Sequence, residues 1–181
     1  MDQVVLFTHP NRRRRAGSAP RRLGFRVNGE DLRLVAAEAT RDLWLAELTS
    51  EDDPELAWRF VLDQHCHLWA AELGAPSRLL LGEPDDEHRR PHGLWDGRVP
   101  LLGCSTCGDW ECWPLLAAIR VDERTVTWSA FVQPHRKEWG ELPIGPFTFD
   151  RAAYEATLAE PEALDADPGW AWMLGADDPQ P

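Results

Sequence analysis

The sequence predicts an α+β domain in which an antiparallel β-sheet is covered by two or three helices and carries a cysteine-rich knuckle. Three observations support this prediction. Apolar and polar residues alternate on both sides of Asn28-Gly29 and again over 126–132. Apolar residues recur at helical spacing over 54–73. Three of the four cysteines lie close together, beginning with a C-x2-C-G motif at Cys104.

The first elements are a predicted strand and a predicted hairpin. The apolar run at 4–7 is typical of a short strand. Asn28-Gly29 favours a two-residue type I′ turn. The alternation on either side of it predicts a hairpin over 23–35.

Two helices are predicted to follow. The first is indicated by helical spacing over 38–48. In the second, Asp53 is suited to the N-cap and Pro54 to the first helical position. An apolar seam predicts that this helix covers 54–73, and its members are Trp58, Leu62, Cys66, Trp69 and Leu73.

The triplet His65-Cys66-His67 falls on this second predicted helix. Neighbouring residues of a helix point about 100° apart, so the three side chains cannot converge on one ion. We therefore interpret Cys66 as a small buried hydrophobe. The two histidines are expected to be partly exposed, and the triplet is given no metal-binding or catalytic role.

The second half is predicted to be mainly strands. An apolar strand is expected over 98–103, and a hairpin is expected to join 115–121 to 126–132 around Glu123-Arg124.

A final helix is predicted over 151–160. Asp150 is suited to its N-cap, Phe149 and Tyr154 occupy the positions of a hydrophobic staple, and Pro161 stops the helix.

The domain organisation follows from these elements and from the charge. The 181 residues fit one domain with loose ends. We predict a mobile arginine-rich arm at 1–22, a single α+β domain at 23–160 and an acidic tail at 161–181.

Composition and charge restrict the class of partner. The chain is 43% hydrophobic and 28% charged, which is typical of a globular protein. No apolar run approaches the roughly 18 residues of a membrane span, and the N-terminus lacks a secretory pattern, so we expect a cytoplasmic protein. A net charge of −12 argues against nucleic acid as a partner, except through Arg12–Arg15, and favours a protein with a basic surface. No feature indicates an oligomeric state.

The cysteine cluster predicts a structural zinc site. Cys104 and Cys107 form a C-x2-C pair followed by Gly, and Cys112 comes five residues later. This pattern is half of a zinc ribbon, in which the glycine relieves a tight turn whose amides face the thiolates. A fourth ligand must come from elsewhere.

His135 is the predicted fourth ligand. With a two-residue loop at Glu123-Arg124, opposed residues of the hairpin have numbers that sum to 247, and Cys112 then falls opposite His135. Opposed Cβ atoms lie about 5 Å apart, which is close enough to share an ion. A Cys3His site would be closed, and hence structural.

Two other interpretations of the cysteines remain open: a redox dithiol of Cys104 and Cys107, or thiols without a ligand. The sequence contains no Gly-rich phosphate loop, no G-x-S-x-G and no H-E-x-x-H motif. The leading hypothesis is therefore a non-enzymatic binding or accessory protein with a structural zinc site and an acidic interaction surface. The alternative is a thiol redox enzyme that uses Cys104 and Cys107.

Several segments together carry a family resemblance. They include the CxxCG…CWPL stretch over 104–115 and the GPFTFDRAAYE stretch over 145–155, with further similarity at 25–32, 77–84, 96–104, 126–129 and 133–136. These segments resemble a family of small uncharacterised actinobacterial proteins. The resemblance brings no established activity.

Overall fold

Two five-stranded sheets organise the part of the chain that this computed structural model describes, residues 1–11, 20–48, 53–73, 78–83 and 96–169. In chain order the strands are β1 (Val4–Pro10), β2 (Arg21–Val27), β3 (Glu30–Asp31), β4 (His65–Cys66), β5 (Leu68–Trp69), β6 (Val99–Cys104), β7 (Leu115–Val121), β8 (Thr125–Val132), β9 (Phe147–Asp150) and β10 (Glu162–Ala163). The first sheet has the order β10-β1-β2-β3, with β5 also paired to β2, and the second has the order β4-β6-β7-β8-β9. All strand pairs are antiparallel except β1 with β10.

Helices pack against these sheets, which confirms the predicted α+β class. They are α1 (Leu32–Glu47), α2 (Pro54–Leu62), α3 (Ala70–Leu73) and α4 (Arg151–Ala159), with short 3-10 turns at Leu79–Leu81 and Lys137–Trp139. The main core includes Phe25, Trp128 and Tyr154, all fully buried. Of the helices within the described ranges, none combines the length and the apolar character that crossing a bilayer requires.

The Asn28-Gly29 turn forms as predicted, with both residues at positive φ, but the strand after it has only two residues. The side chain of Asp31 accepts a hydrogen bond from the backbone N–H of Arg33 and so caps α1. The helix therefore begins at Leu32, inside the predicted hairpin. The predicted second strand was wrong beyond Asp31, because the N-cap overrides the alternation that follows it.

The predicted helix over 54–73 was also wrong in its second half. Asp53 caps α2 as expected, but the helix ends at Leu62. The backbone then turns into β4, where His65 pairs with Cys104 and Cys66 with Gly103. Pairing with β6 satisfies the backbone hydrogen-bonding groups of this segment. A contact between distant segments therefore outweighs the helical spacing of its apolar residues.

The β7–β8 hairpin has the predicted register only near its turn. Val121 pairs with Val126 and Ile119 with Trp128, but a bulge then shifts the pairing, so that Leu116 faces Val132. Ala130 has a positive φ at this bulge. The ladder that placed Cys112 opposite His135 therefore does not continue to those residues.

The segments predicted to be a mobile arm and an acidic tail each contribute one strand to the first sheet. β1 comes from the segment 1–22 predicted to be a mobile arm, and β10 comes from the predicted tail. They pair with each other through Phe7 with Glu162 and Thr8 with Ala163. The run Arg12–Arg15 and the end of the tail from residue 170 lie outside the described residues.

The final helix is confirmed. Asp150 accepts a hydrogen bond of 2.9 Å from the N–H of Ala153, and the rings of Phe149 and Tyr154 stack with centroids 5.7 Å apart. α4 ends at Ala159.

Candidate functional site

A cleft of about 1420 Å³ lies where the two sheets and α2 meet. Two groups of metal-ligating side chains line it. The first, which we name the thiol cluster, consists of Cys104, Cys107 and Cys112. The second, which we name the histidine cluster, consists of His9, His67 and Asp167.

The thiol cluster brings together three of the four predicted ligands. Its sulfur atoms all lie within 4.8 Å of one another. Cys104 is buried at the end of β6, whereas Cys107 and Cys112 are exposed. All four cysteines of the chain are free thiols.

A tight turn forms this cluster. The N–H of Gly108 donates to the carbonyl of Cys104 over 2.8 Å, and the N–H of Cys104 donates to Asp109 over 3.0 Å. Gly108 has φ +81°, and a Cβ at this position would collide with the guanidinium of Arg22. Only glycine fits the turn without strain, which is the role predicted for it.

The surroundings of Cys104 and Cys112 shift the pKa values of these two thiols in opposite directions. Burial acts to raise the pKa of Cys104, but the N–H groups of Cys107 and Thr106 and the two neighbouring thiols outweigh it, so that pKa is lowered. Hydrogen bonds to Cys107 and Cys104 raise the pKa of Cys112 to about 12. The thiolate form of Cys104 is therefore favoured, as expected for a sulfur held by backbone amides.

Cys66 lies beside this cluster, although its position on the apolar seam predicted only a core role. Its thiol donates to the carbonyl of Cys104 over 3.0 Å, because β4 and β6 are paired. Burial raises the pKa of Cys66 to about 11.

His135 does not belong to the group of mutually close ligand atoms. Its ring stacks on Trp113, with centroids 5.5 Å apart and planes 8° from parallel. A ligand role for His135 stays a prediction, and it requires the ring to leave Trp113.

The histidine cluster was not predicted. Nε2 of His9, on β1, lies 2.7 Å from Nδ1 of His67, in the link between β4 and β5. Asp167, which follows β10, places a carboxylate oxygen within 4.8 Å of one ring nitrogen of each histidine. His9 and His67 are 3% and 1% exposed, so the expectation that His67 is partly exposed was wrong. His65 is buried as well.

A shell of charged and polar groups holds this cluster. Nε2 of His67 lies 3.2 Å from a carboxylate oxygen of Asp31, and Nδ1 of His9 lies 3.0 Å from the carbonyl of Pro10. The buried guanidinium of Arg33 binds both Asp31 and Asp167, with shortest contacts of 2.7 Å to each.

Burial and charge determine the ionisation of the cluster. Burial, followed by the neighbouring His67, lowers the pKa of His9 to about 4. Burial acts to raise the pKa of Asp167, but the hydrogen bonds and charge of Arg33 outweigh it and the pKa lies well below its usual value. Burial also acts to raise the pKa of Asp31, but His67 and Arg33 outweigh it and this pKa is lowered as well. Two carboxylates and one guanidinium therefore surround a pair of neutral imidazoles.

No family model, no curated protein and no solved structure matches this chain. The resemblance to small actinobacterial proteins accordingly stays a prediction, and the function is argued below from the site alone.

Proposed function

We propose that this chain is a binding protein in which the thiol cluster holds one structural Zn²⁺ ion. The observation that supports this most directly is the convergence of three sulfurs within 4.8 Å on a glycine-containing turn. Zinc bound to thiolates at about 2.3 Å in a tetrahedral site separates its sulfurs by about 3.8 Å, which this spacing allows.

Two side chains are candidates for the fourth ligand. Cys66 already contacts the backbone of Cys104, whereas the predicted ligand His135 stacks on Trp113. Either residue would complete four-coordination and close the site to substrate, which favours a structural role over a catalytic one.

The zinc would hold one wall of the cleft in place. Arg22 crosses this wall and donates to the carbonyls of His67 and Gly108 over 2.9 and 3.2 Å, while it packs on Trp69. Fixing the turn at 104–112 would therefore fix the cleft as well. Exposed apolar side chains of α2, Leu56 and Phe60, border the same cleft. Together with the net charge of −12, they suit a protein partner with a basic and partly apolar surface.

Elemental analysis with a thiol count tests the zinc site. We expect a metal ion at the thiol cluster and cysteines that react with a thiol reagent only after chelation. Cys107→Ser should lose this ion and lower the melting temperature. Glu111→Gln, an exposed carboxylate in the same turn, should change neither quantity. A stable chain whose cysteines react fully before chelation would contradict the proposal.

A second candidate is a dithiol that exchanges with a disulfide substrate. The lowered pKa of Cys104 and the exposure of Cys107 favour it. In that case Cys104 and Cys107 would form a reversible disulfide as the substrate disulfide is reduced to two thiols. The same thiol count, taken before and after oxidised glutathione is added, separates this candidate from the zinc site.

A further inference from the structure

The partners of the two histidines fix where their protons lie. A backbone carbonyl and a carboxylate only accept hydrogen bonds. In the neutral tautomers that satisfy both outer contacts, Nδ1 of His9 carries the hydrogen that faces Pro10, and Nε2 of His67 carries the hydrogen that faces Asp31. Each neutral imidazole has a single N–H, and both are then committed to these outer contacts.

In these tautomers the inner nitrogens face each other without a hydrogen. Nε2 of His9 and Nδ1 of His67 lie 2.7 Å apart, and each presents a lone pair to the other. Two lone pairs at this distance repel, so the arrangement needs a positive species between or beside the rings. The carboxylate of Asp167 lies beside the same gap.

We propose that the histidine cluster binds a divalent transition-metal ion, of the zinc or iron(II) type, through His9 Nε2, His67 Nδ1 and the carboxylate of Asp167. Imidazole with carboxylate is a ligand set that suits these ions. The proposal rests on different residues from the thiol cluster and stands without it.

The contacts around the cluster match those of a metal-bound histidine. Ligating histidines generally donate their second N–H to a carboxylate or a backbone carbonyl, as His67 and His9 do here. The carboxylates of Asp31 and Asp167 share the guanidinium of Arg33, so this ion pair neutralises only one of their two negative charges, which favours a cation. Two nitrogens on one ion are separated by roughly 3.0 to 3.4 Å, so the rings must move apart by only a few tenths of an ångström.

The packing fixes the ring of His67 in this position. A Cβ on Gly24 would lie 2.7 Å from its Nε2 and 2.5 Å from the ring of Phe7. Phe7 packs edge-on against the same imidazole, with centroids 5.1 Å apart. Only a residue without a side chain at position 24 allows His67 to reach Asp31.

The site faces the cleft, and this determines what the ion would bind. His9, His67 and Asp167 all line the cleft. Three protein ligands leave at least one coordination position for water or for a small oxygen donor such as a carboxylate. The cleft would then receive a ligand whose acidic group binds the metal.

Metal counting on the full-length chain tests the proposal. The protein is stripped with a chelator, dialysed against Zn²⁺ and then against Co²⁺, and analysed for metal per chain. Cobalt bound to thiolates has a sulfur charge-transfer absorption that cobalt bound to nitrogen and oxygen lacks. His9→Gln and Asp167→Asn should each remove one equivalent without reducing the thiolate absorption. Asp165→Asn, an exposed carboxylate of the same segment, should remove none.

The possible results separate the two metal sites. Two ions in the native chain support both proposals, and one ion without thiolate absorption that His9→Gln removes supports the histidine cluster alone. If metal binds only with thiolate absorption, and His9→Gln and Asp167→Asn leave its amount unchanged, a proton rather than a metal links the two histidines and the proposal is wrong. X-ray absorption of the loaded native chain gives the nitrogen and oxygen ligands directly, so the test does not depend on the variants folding.

Discussion

The guanidinium of Arg22 occupies the space that a side chain on Gly108 would need, and it donates to the carbonyl of Gly108 over 3.2 Å. This contact joins the turn of the thiol cluster to the first sheet, although the two residues are far apart in sequence.

Gly108→Ala should destabilise the chain by about 1–3 kcal/mol and weaken metal binding at the thiol cluster, because it combines an unfavourable φ with a collision. The measurement is urea unfolding together with metal affinity. Gly29→Ala is the matched control, since Gly29 also has a positive φ but nothing lies within 4 Å of its Cβ. A smaller loss of stability in Gly108→Ala than in Gly29→Ala would contradict the role given to Arg22.

Asp31→Asn should weaken metal binding at the histidine cluster by about 10- to 100-fold, because His67 loses a carboxylate partner. Asn caps a helix as well as Asp does, so α1 should keep its N-terminus. Competition with a chelator of known affinity measures the change, and thermal unfolding reports on the loss of the Arg33 ion pair. Metal at the thiol cluster should be unaffected, and a parallel loss there would indicate general unfolding instead.

The stability of the metal-free chain should fall as the pH decreases from about 6.5 to 4. Burial lowers the pKa of His65 to about 4, so the folded histidine stays neutral while the unfolded one takes up a proton. The unfolded state then binds more protons, and the free energy of unfolding decreases by up to about 3 kcal/mol for this group. Urea unfolding at several pH values should show this slope, and His65→Gln should reduce it, leaving the part that comes from the other buried histidines, His9 and His67.

His135→Gln, at an exposed position, is the matched control for a histidine-to-glutamine substitution. If His65→Gln has no effect on the slope, the buried site of His65 is not its source.

Tyr154→Phe should cost about 1 kcal/mol of stability. The hydroxyl of this fully buried tyrosine donates to the carbonyl of Leu80 over 2.8 Å and so ties α4 to the 3-10 turn at Leu79–Leu81. The change is measured by thermal or urea unfolding. Thr148→Val, which removes a hydroxyl whose contact to Thr127 is 3.4 Å, should have a smaller effect.

Local signals predicted the elements whose determinants are adjacent in sequence. Asp150 with Phe149 and Tyr154 defines the start of α4, and Asn28-Gly29 defines a turn, because capping and turn geometry involve neighbouring residues. The C-x2-C-G motif likewise predicts the thiol cluster.

Contacts between distant segments escaped prediction. Residues 65–66 follow a helical pattern, yet they pair with β6, and no periodicity within the segment indicates this. The bulge at Ala130 shifts the register that was used to select His135. The histidine cluster draws His9, His67 and Asp167 from three separate segments, and Asp31, which contacts His67, comes from a fourth, so no spacing rule brings them together.

The two clusters also differ in when they are complete during translation. All three members of the thiol cluster precede residue 113. The histidine cluster is complete only when Asp167, which binds Arg33 of α1, has been synthesised. A ribosome that has made two thirds of the chain has already supplied all three members of the thiol cluster and only two of the three members of the histidine cluster. An ion at the thiol cluster would therefore be able to bind while synthesis continues, whereas an ion at the histidine cluster would bind with all three ligands only after Asp167 has been made.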